Sequence, residues 1–236
     1  MLFYFTATGN SLYVAKQFDQ EPISIPQVIN QDNLVFEDET IGVVWPVYAG
    51  EPPKMVLNFL KKAQFKTDYF YMILTYGKDD SDAPEYINNL CKEFGLHVDY
   101  INSILMVDNY LPSFDMNDQM AMDKQVDKQI EKVLADLKAR KKEIPVASQE
   151  SRDFHQRAAK IFAENPSLIN GEQIKVTDKC VGCGICVRVC PIANFYVENG
   201  KAKRHSEVRE FCLACAPKCP QKAIITSISD KNPNAR

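Results

Sequence analysis

Along the first hundred residues the apolar and polar positions repeat one theme. "LFYF" is a short apolar run that breaks at Thr6, Ala7, Thr8, Gly9, Asn10 and Ser11, and "SLYVAKQF" follows with Leu12, Ala15 and Phe18 at helical spacing. The theme recurs as "TIGVVW" then "PPKMVLNFLKKA", and as "DYFYMILTYG" then "APEYINNLCKEFG", before "HVDYINSILMV" adds a further strand. Strand-length apolar runs alternating with helical stretches predict an α/β fold, a doubly wound parallel sheet covered on both faces. Residues 116–142 read as a long charged helix with Met120, Val126, Ile130, Val133 and Leu137 on one face, packed or bridging. A second helical segment at 154–163 leads through Asn165 and Pro166 to a cysteine-rich end. The expected organisation is an α/β domain at 1–112, a helical connector at 113–170 and a small α+β domain at 171–236.

Composition adds limits. With 236 residues, 45% apolar and 25% charged, the chain is ordinary globular material, enough for one large domain and one small one. Nowhere do 18 apolar residues run together, and "MLFYF" passes into "TATGN" without a basic region or cleavage site, so the expectation is a soluble, cytoplasmic protein. Charge is uneven: residues 1–115 have a net charge of −9 and residues 171–236 of +5. Of eight cysteines, Cys91 stands alone and reads as a small core residue, while seven fall within 40 residues. Such crowding without an export signal indicates metal ligation rather than disulfides.

The loop at residues 6–11 is the first candidate for chemistry. A strand turning into a helix leaves unpaired N–H groups at the helix start, and short hydroxyls with a close-approaching glycine can cradle a phosphate there. No Lys or Arg precedes Lys16, so an anion would be held by dipoles and hydroxyls alone. The competing reading is a plain capped helix start. The string T-x-T-G-N-S after a first strand resembles the phosphate loop of flavodoxins, over roughly residues 1–110. That resemblance implies flavin mononucleotide (FMN), with its phosphate on Thr6, Ala7, Thr8, Gly9, Asn10 and Ser11. Its ring would lie between the loops Trp45, Pro46, Val47, Tyr48, Ala49, Gly50 and Thr75, Tyr76, Gly77. Tyr48 and Tyr76 become ring neighbours above Trp45, the alternative for Trp45 and Tyr76 being core aromatics that close strand ends. The carboxyl edge of such sheets is where ligands bind.

The run Cys180-x2-Cys183-x2-Cys186-x3-Cys190-Pro191 resembles the bacterial ferredoxin motif, in which the fourth cysteine ligates the other cluster. Zinc sites have no use for the trailing Cys-Pro. Cys219-Pro220 repeats the ending, and counting back by the same spacing places Cys215, Cys212 and then Arg209 where a first cysteine belongs. Crossed ligation implies a 4Fe-4S cluster on Cys180, Cys183, Cys186 and Cys219, and a second cluster on Cys190, Cys212 and Cys215 alone. A guanidinium has no lone pair for iron, so Arg209 does not replace the thiolate. The second site is then 3Fe-4S, or 4Fe-4S with water, His205, Glu207 or Glu210 on the fourth iron, or it has lost its cluster.

Together the modules resemble the fused flavodoxin-ferredoxin proteins of anaerobic bacteria. The resemblance implies an intracellular electron carrier passing electrons between iron–sulfur clusters and FMN and on to a redox protein donor or acceptor. The alternative is a flavin-dependent reductase of a small molecule or quinone, and a third class is a redox sensor with a labile cluster. No G-x-G-x-x-G nicotinamide motif and no DNA-reading motif is legible, and neither nucleic acid nor membrane is an expected partner. No catalytic residue is assigned; His97, His155 and His205 read as surface or packing residues.

Overall fold

The apolar runs become strands of a parallel sheet. In chain order, β1 (Leu2–Tyr4), α1 (Asn10–Phe18), β2 (Ile23–Ser24), α2 (Ile25–Val28), β3 (Val35–Glu37), β4 (Thr40–Pro46), α3 (Lys54–Lys62), β5 (Gln64–Lys66), β6 (Tyr69–Tyr76), α4 (Ala83–Glu93) and β7 (Tyr100–Leu105) follow one another. They are succeeded by α5 (Met116–Ala121), α6 (Val126–Lys138) and α7 (Gln149–Glu164). The computed structural model describes residues 1–110, 113–205 and 210–226. Two units are distinguished: residues 1–106 with 123–158, and residues 107–122 with 159–236.

In the first unit the sheet order is β2-β1-β4-β6-β7, parallel throughout, with β3 and β5 as a separate parallel pair. Numbered among themselves, the five strands run 2-1-3-4-5, the flavodoxin-like doubly wound order. Residues 41–45 of β4 and 69–75 of β6 are buried without interruption, as expected of parallel strands covered on both faces. Alternate side chains enter opposite layers. Val43, Trp45, Met72 and Leu74 join Phe3, Val56, Phe59 and Ile87 on one face, where Cys91 is also buried. Leu2, Val44, Tyr71 and Ile73 join Val14 and Ala15 on the other. Phe3, Phe36, Phe59 and Phe65 interlock on the first face, from 4.6 Å between the Phe3 and Phe36 centroids to 6.3 Å between Phe3 and Phe65.

The segment 113–170, expected as a connector, is divided between the units. The long helix is interrupted where the Asp123 carboxylate accepts the Gln125 N–H at 2.9 Å and Gln125 turns to a φ of 53°. α6 then lays Ile130 and Val133 on the sheet face that α1 leaves open, against the tyrosines Tyr69, Tyr71 and Tyr100. Gln129 fixes its register, accepting the Leu105 N–H at 2.8 Å and donating to the Leu105 carbonyl at 3.3 Å, and Tyr100 Oη donates to Asp136 at 2.9 Å. α7 starts in the first unit, where the Arg152 fork meets Glu85 at 2.8 and 2.9 Å and holds its carboxyl down at about 2. Its last residues belong to the second unit.

The second unit adds β8 (Ile174–Val176), α8 (Ile185–Val189), β9 (Phe195–Glu198), β10 (Lys201–Arg204) and β11 (Ile224–Thr226). Two antiparallel ribbons, β8 with β11 and β9 with β10, frame a small core of Ile174, Phe195, Leu213 and Ile224 that also contains Cys186 and Cys215. Among the described residues no helix is long and apolar enough to cross a membrane.

Candidate iron–sulfur centre and phosphate loop

The β8–β11 ribbon joins the two cysteine runs. Thr177, just before the first run, donates its N–H at 2.8 Å and its hydroxyl at 3.1 Å to the carbonyl of Ala223, just after the second. As a result Cys180, Cys183, Cys186 and Cys219 line one pocket, with Val181, Ala202, Pro220 and Ile224 among its walls. Three thiols come from one loop and the fourth from a residue 33 positions beyond the last of them. The loop closes tightly because Gly182, at a φ of 68°, presses against the turn between β9 and β10. A Cβ there would lie 2.5 Å from the Gly200 carbonyl oxygen, so only glycine fits.

Backbone donors already point at the sulfurs. Cys180 Sγ accepts N–H groups from Gly182 at 3.5 Å and Ala202 at 3.3 Å, and Cys219 Sγ accepts that of Ala223 at 3.3 Å. Such donors stabilise thiolate and tune a bound cluster's potential. Two cations hold the ligands' carbonyls: Lys201 Nζ donates to Cys180 O at 2.7 Å, and Arg188 Nη1 to Cys183 O at 3.4 Å. Neither Lys201 nor Arg188 was singled out from the sequence, because neither belongs to the cysteine spacing.

Cys190, Cys212 and Cys215 form the second group. Each of the Cys212 and Cys215 thiols is opposed in ionisation mainly by burial and also by charge on its neighbours, Cys190 included, which pushes Cys212 up to about 12 and raises Cys215 too. Iron would displace those protons, so binding here is coupled to proton release. Cys190 Sγ accepts the Asn194 N–H at 3.2 Å, and the Asn194 side chain is buried with no partner for its Oδ1 among the described residues. Arg209 and Glu207, central to the eighth-ligand question, lie outside the described residues. His205 is exposed with its ring against Tyr196, 4.7 Å between centroids, and Glu210 is half-buried. Among the described residues no three His, Cys, Asp or Glu side chains converge as ligands of a single ion. A cubane gives each iron its own thiolate and so keeps the ligands apart.

In the first unit, residues 5–9 connect β1 to α1, which opens on Asn10 and Ser11, at the carboxyl edge of the sheet, where the strand order reverses. Gly9 stands at a φ of 120° directly before α1, its N–H donating to Thr6 Oγ1 at 3.2 Å, and a Cβ there would meet nothing within 4 Å. Gly9, the residue that caps α1, offers no side chain to its first turn. Ser11 is buried, its hydroxyl paired with that of buried Thr75 at 2.8 Å, so these two hydroxyls tie the first turn of α1 to the end of β6. Val47 N–H donates to the Thr75 carbonyl at 2.9 Å, bringing the loop after β4 alongside. Tyr48 and Tyr76 are half-buried at these loops, with Pro46, while Lys124 Nζ holds the Gly77 carbonyl at 2.7 Å.

Trp45 departs from the expectation. It is fully buried in the core, and its indole N–H has no hydrogen-bond partner among the described residues. It is the last of five consecutive buried residues of a strand covered on both faces, so its ring fills the layer under α3 and α4 instead of lining the edge. Sequence reasoning also missed what holds the loop after β4. Tyr48 and Glu51 pair across a turn through Ala49 and Gly50, and a Cβ on Gly50 would lie 2.9 Å from His155 Cδ2. His155, from α7, lies with Nδ1 2.6 Å from Asp82 and Nε2 3.7 Å from Glu51.

The cysteine framework defines an iron–sulfur protein. Residues 174–194 match the model of the 4Fe-4S binding domain. The chain is 58% identical over 26 residues, 11% of its length, to Ferredoxin-2 of Desulfomicrobium norvegicum and spans 44% of that relative. It is 35% identical over 68 residues, 25% of its length, to an uncharacterized ferredoxin of Methanocaldococcus jannaschii and spans 88% of it. The chain therefore belongs to the ferredoxins, a membership carried by its C-terminal unit. A solved structure, the rubredoxin oxygen:oxidoreductase of the anaerobe Desulfovibrio gigas, superposes at a TM-score of 0.36 with 11% identity, covering 59% of this chain and 36% of that one. A likeness that weak adds nothing to the strand order.

Proposed function

We propose that the chain is an electron-transfer protein carrying two iron–sulfur clusters in its second unit and FMN in its first, and exchanging electrons with a redox protein. The observation that carries this reading is the single pocket on which Cys180, Cys183, Cys186 and Cys219 converge from two separated runs, with backbone N–H groups already on two of the sulfurs. In it the four thiolates hold a 4Fe-4S cluster, which supplies reversible one-electron chemistry, and Cys190, Cys212 and Cys215 hold the second cluster. The open approach to Gly9 and the glycine cap of α1 support an FMN phosphate there, with Tyr48 and Tyr76 beside the ring. A flavin takes two electrons singly, which matches one-electron clusters carried on the same chain.

Anaerobic purification followed by quantification of iron, sulfide and flavin tests the reading. We expect about one flavin per chain with about seven or eight irons, for a 3Fe-4S or 4Fe-4S second cluster beside the first. Protein with no acid-labile sulfide after anaerobic reconstitution would sink the assignment of the cysteines, and protein with full iron but no affinity for FMN would restrict the function to the second unit.

A further inference from the structure

The pocket of the first four cysteines reaches the surface on one side. Val181 is 62% exposed, Cys183 is the exposed thiol of the set, and the neighbouring Pro220 and Gln221 are exposed as well. Cys186, on the inner side, is buried, as is Cys215 of the second group. An electron would therefore cross least protein at the Val181–Cys183 edge.

Cations flank this edge. Lys179 is exposed immediately before Cys180, and Lys222 is exposed immediately after Gln221. Lys201 Nζ is fixed on the carbonyls of Asp178 and Cys180 at 2.9 and 2.7 Å, and Arg188 on that of Cys183 at 3.4 Å. Asp178 and Glu198, the strand partner of Lys201, are carboxylates beside them. An exposed apolar centre with a charged rim is the anatomy of a protein interface, and the small extent suits the weak encounters of redox partners.

We propose that the Val181–Cys183 edge, with Lys179, Arg188, Lys201 and Lys222 around it, is the docking surface for a negatively charged electron-transfer protein. The inference rests on the function proposed above and names the partner's chemistry. One electron passes from the partner's reduced centre to the cluster held by Cys180, Cys183, Cys186 and Cys219; no bond forms or breaks, the partner is oxidised by one electron and the cluster reduced by one. Lys201 and Arg188 favour the added negative charge, and the outer cations steer the encounter.

The test uses the anaerobic holoprotein and an acidic 2Fe-2S plant-type ferredoxin as probe. Binding is followed by titration calorimetry at low and high salt, after iron, sulfide and midpoint potential have been measured for each variant. We expect Kd to rise by about tenfold or more with salt. We also expect Lys179→Glu and Lys222→Glu each to weaken binding by about tenfold at low salt, with iron and sulfide content retained. Lys54→Glu, the same charge change in the first unit, should leave binding unaltered. Undiminished binding by both edge variants would overturn the proposal, as would an equal loss in Lys54→Glu, wild-type holoprotein that does not bind the probe, or equal binding of a basic c-type cytochrome. Self-association abolished by the same edge variants would reassign the edge to a second copy of this chain. Absence of iron and sulfide would instead fail the cysteine assignment on which the inference rests.

Discussion

His155 sits on α7 with Asp82 at 2.6 Å on one side and Glu51 at 3.7 Å on the other, Tyr86 edge-on at 4.8 Å, and no room for a Cβ on Gly50. Glu51 first, and Asp82 with it, raise its pKa against the opposing effect of burial. The folded state thus favours the imidazolium. Its contribution to stability is fully present below the ordinary histidine value of about 6.5 and is lost as pH rises through the higher folded value. His155→Gln should therefore cost about 1.5–3 kcal/mol near pH 6 and progressively less toward pH 9, visible as thermal midpoints of wild type and variant that converge on the alkaline side. A constant gap across that range would mean that packing, not charge, is what His155 supplies. Gly9 makes a contrasting case at the same scale, since a side chain there meets empty space but a φ of 120° suits no L residue. Gly9→Val is expected to abolish flavin binding while costing about 1–3 kcal/mol in stability, read from flavin content and thermal unfolding together.

At the scale of elements, legibility followed chemistry that repeats locally. The strands from Leu2, Thr40 and Tyr69, and the helix after Gly9, were readable because period-2 and period-3.6 patterns are local. The cysteine spacing was readable because ligands of one cubane come mostly from one loop. What was not readable depends on what covers an element. Trp45 ends a strand in either case, and only the helices over that face decide that it is buried. His155 meets Asp82 across 73 positions, with no local pattern to announce it. The crossing between runs is testable: Cys219→Ser removes the one ligand that the second run gives to the first pocket. We expect it to damage the cluster held by Cys180, Cys183 and Cys186 and to spare the site of Cys190, Cys212 and Cys215, as seen in iron content and low-temperature electron paramagnetic resonance. Damage confined to the second site would mean that the runs ligate without crossing.

At the scale of the whole molecule, the chain does not divide where its composition changes. Residues 107–122 belong with the cysteine-bearing unit, whereas 123–158 return to the first, where α6 supplies Ile130 and Val133 to the sheet. A boundary at 112, natural from the sequence, would cut away the cover of Tyr69, Tyr71, Tyr100 and Ile104. Burying two aliphatic side chains is worth about 3–6 kcal/mol. The bonds of Gln129 to Leu105 and of Tyr100 to Asp136 add to that. The sum is comparable to the entire stability of a domain, about 5–15 kcal/mol. A fragment of residues 1–112 should therefore aggregate or bind a hydrophobic dye, whereas residues 1–158 should elute as a monomer and unfold cooperatively. If 1–112 instead unfolds at the same temperature as 1–158, α6 is an accessory to the first unit rather than a wall of it. In that case Ile130→Asp in the full chain should be tolerated, where the packing against Tyr100 leads us to expect the loss of the cooperative transition.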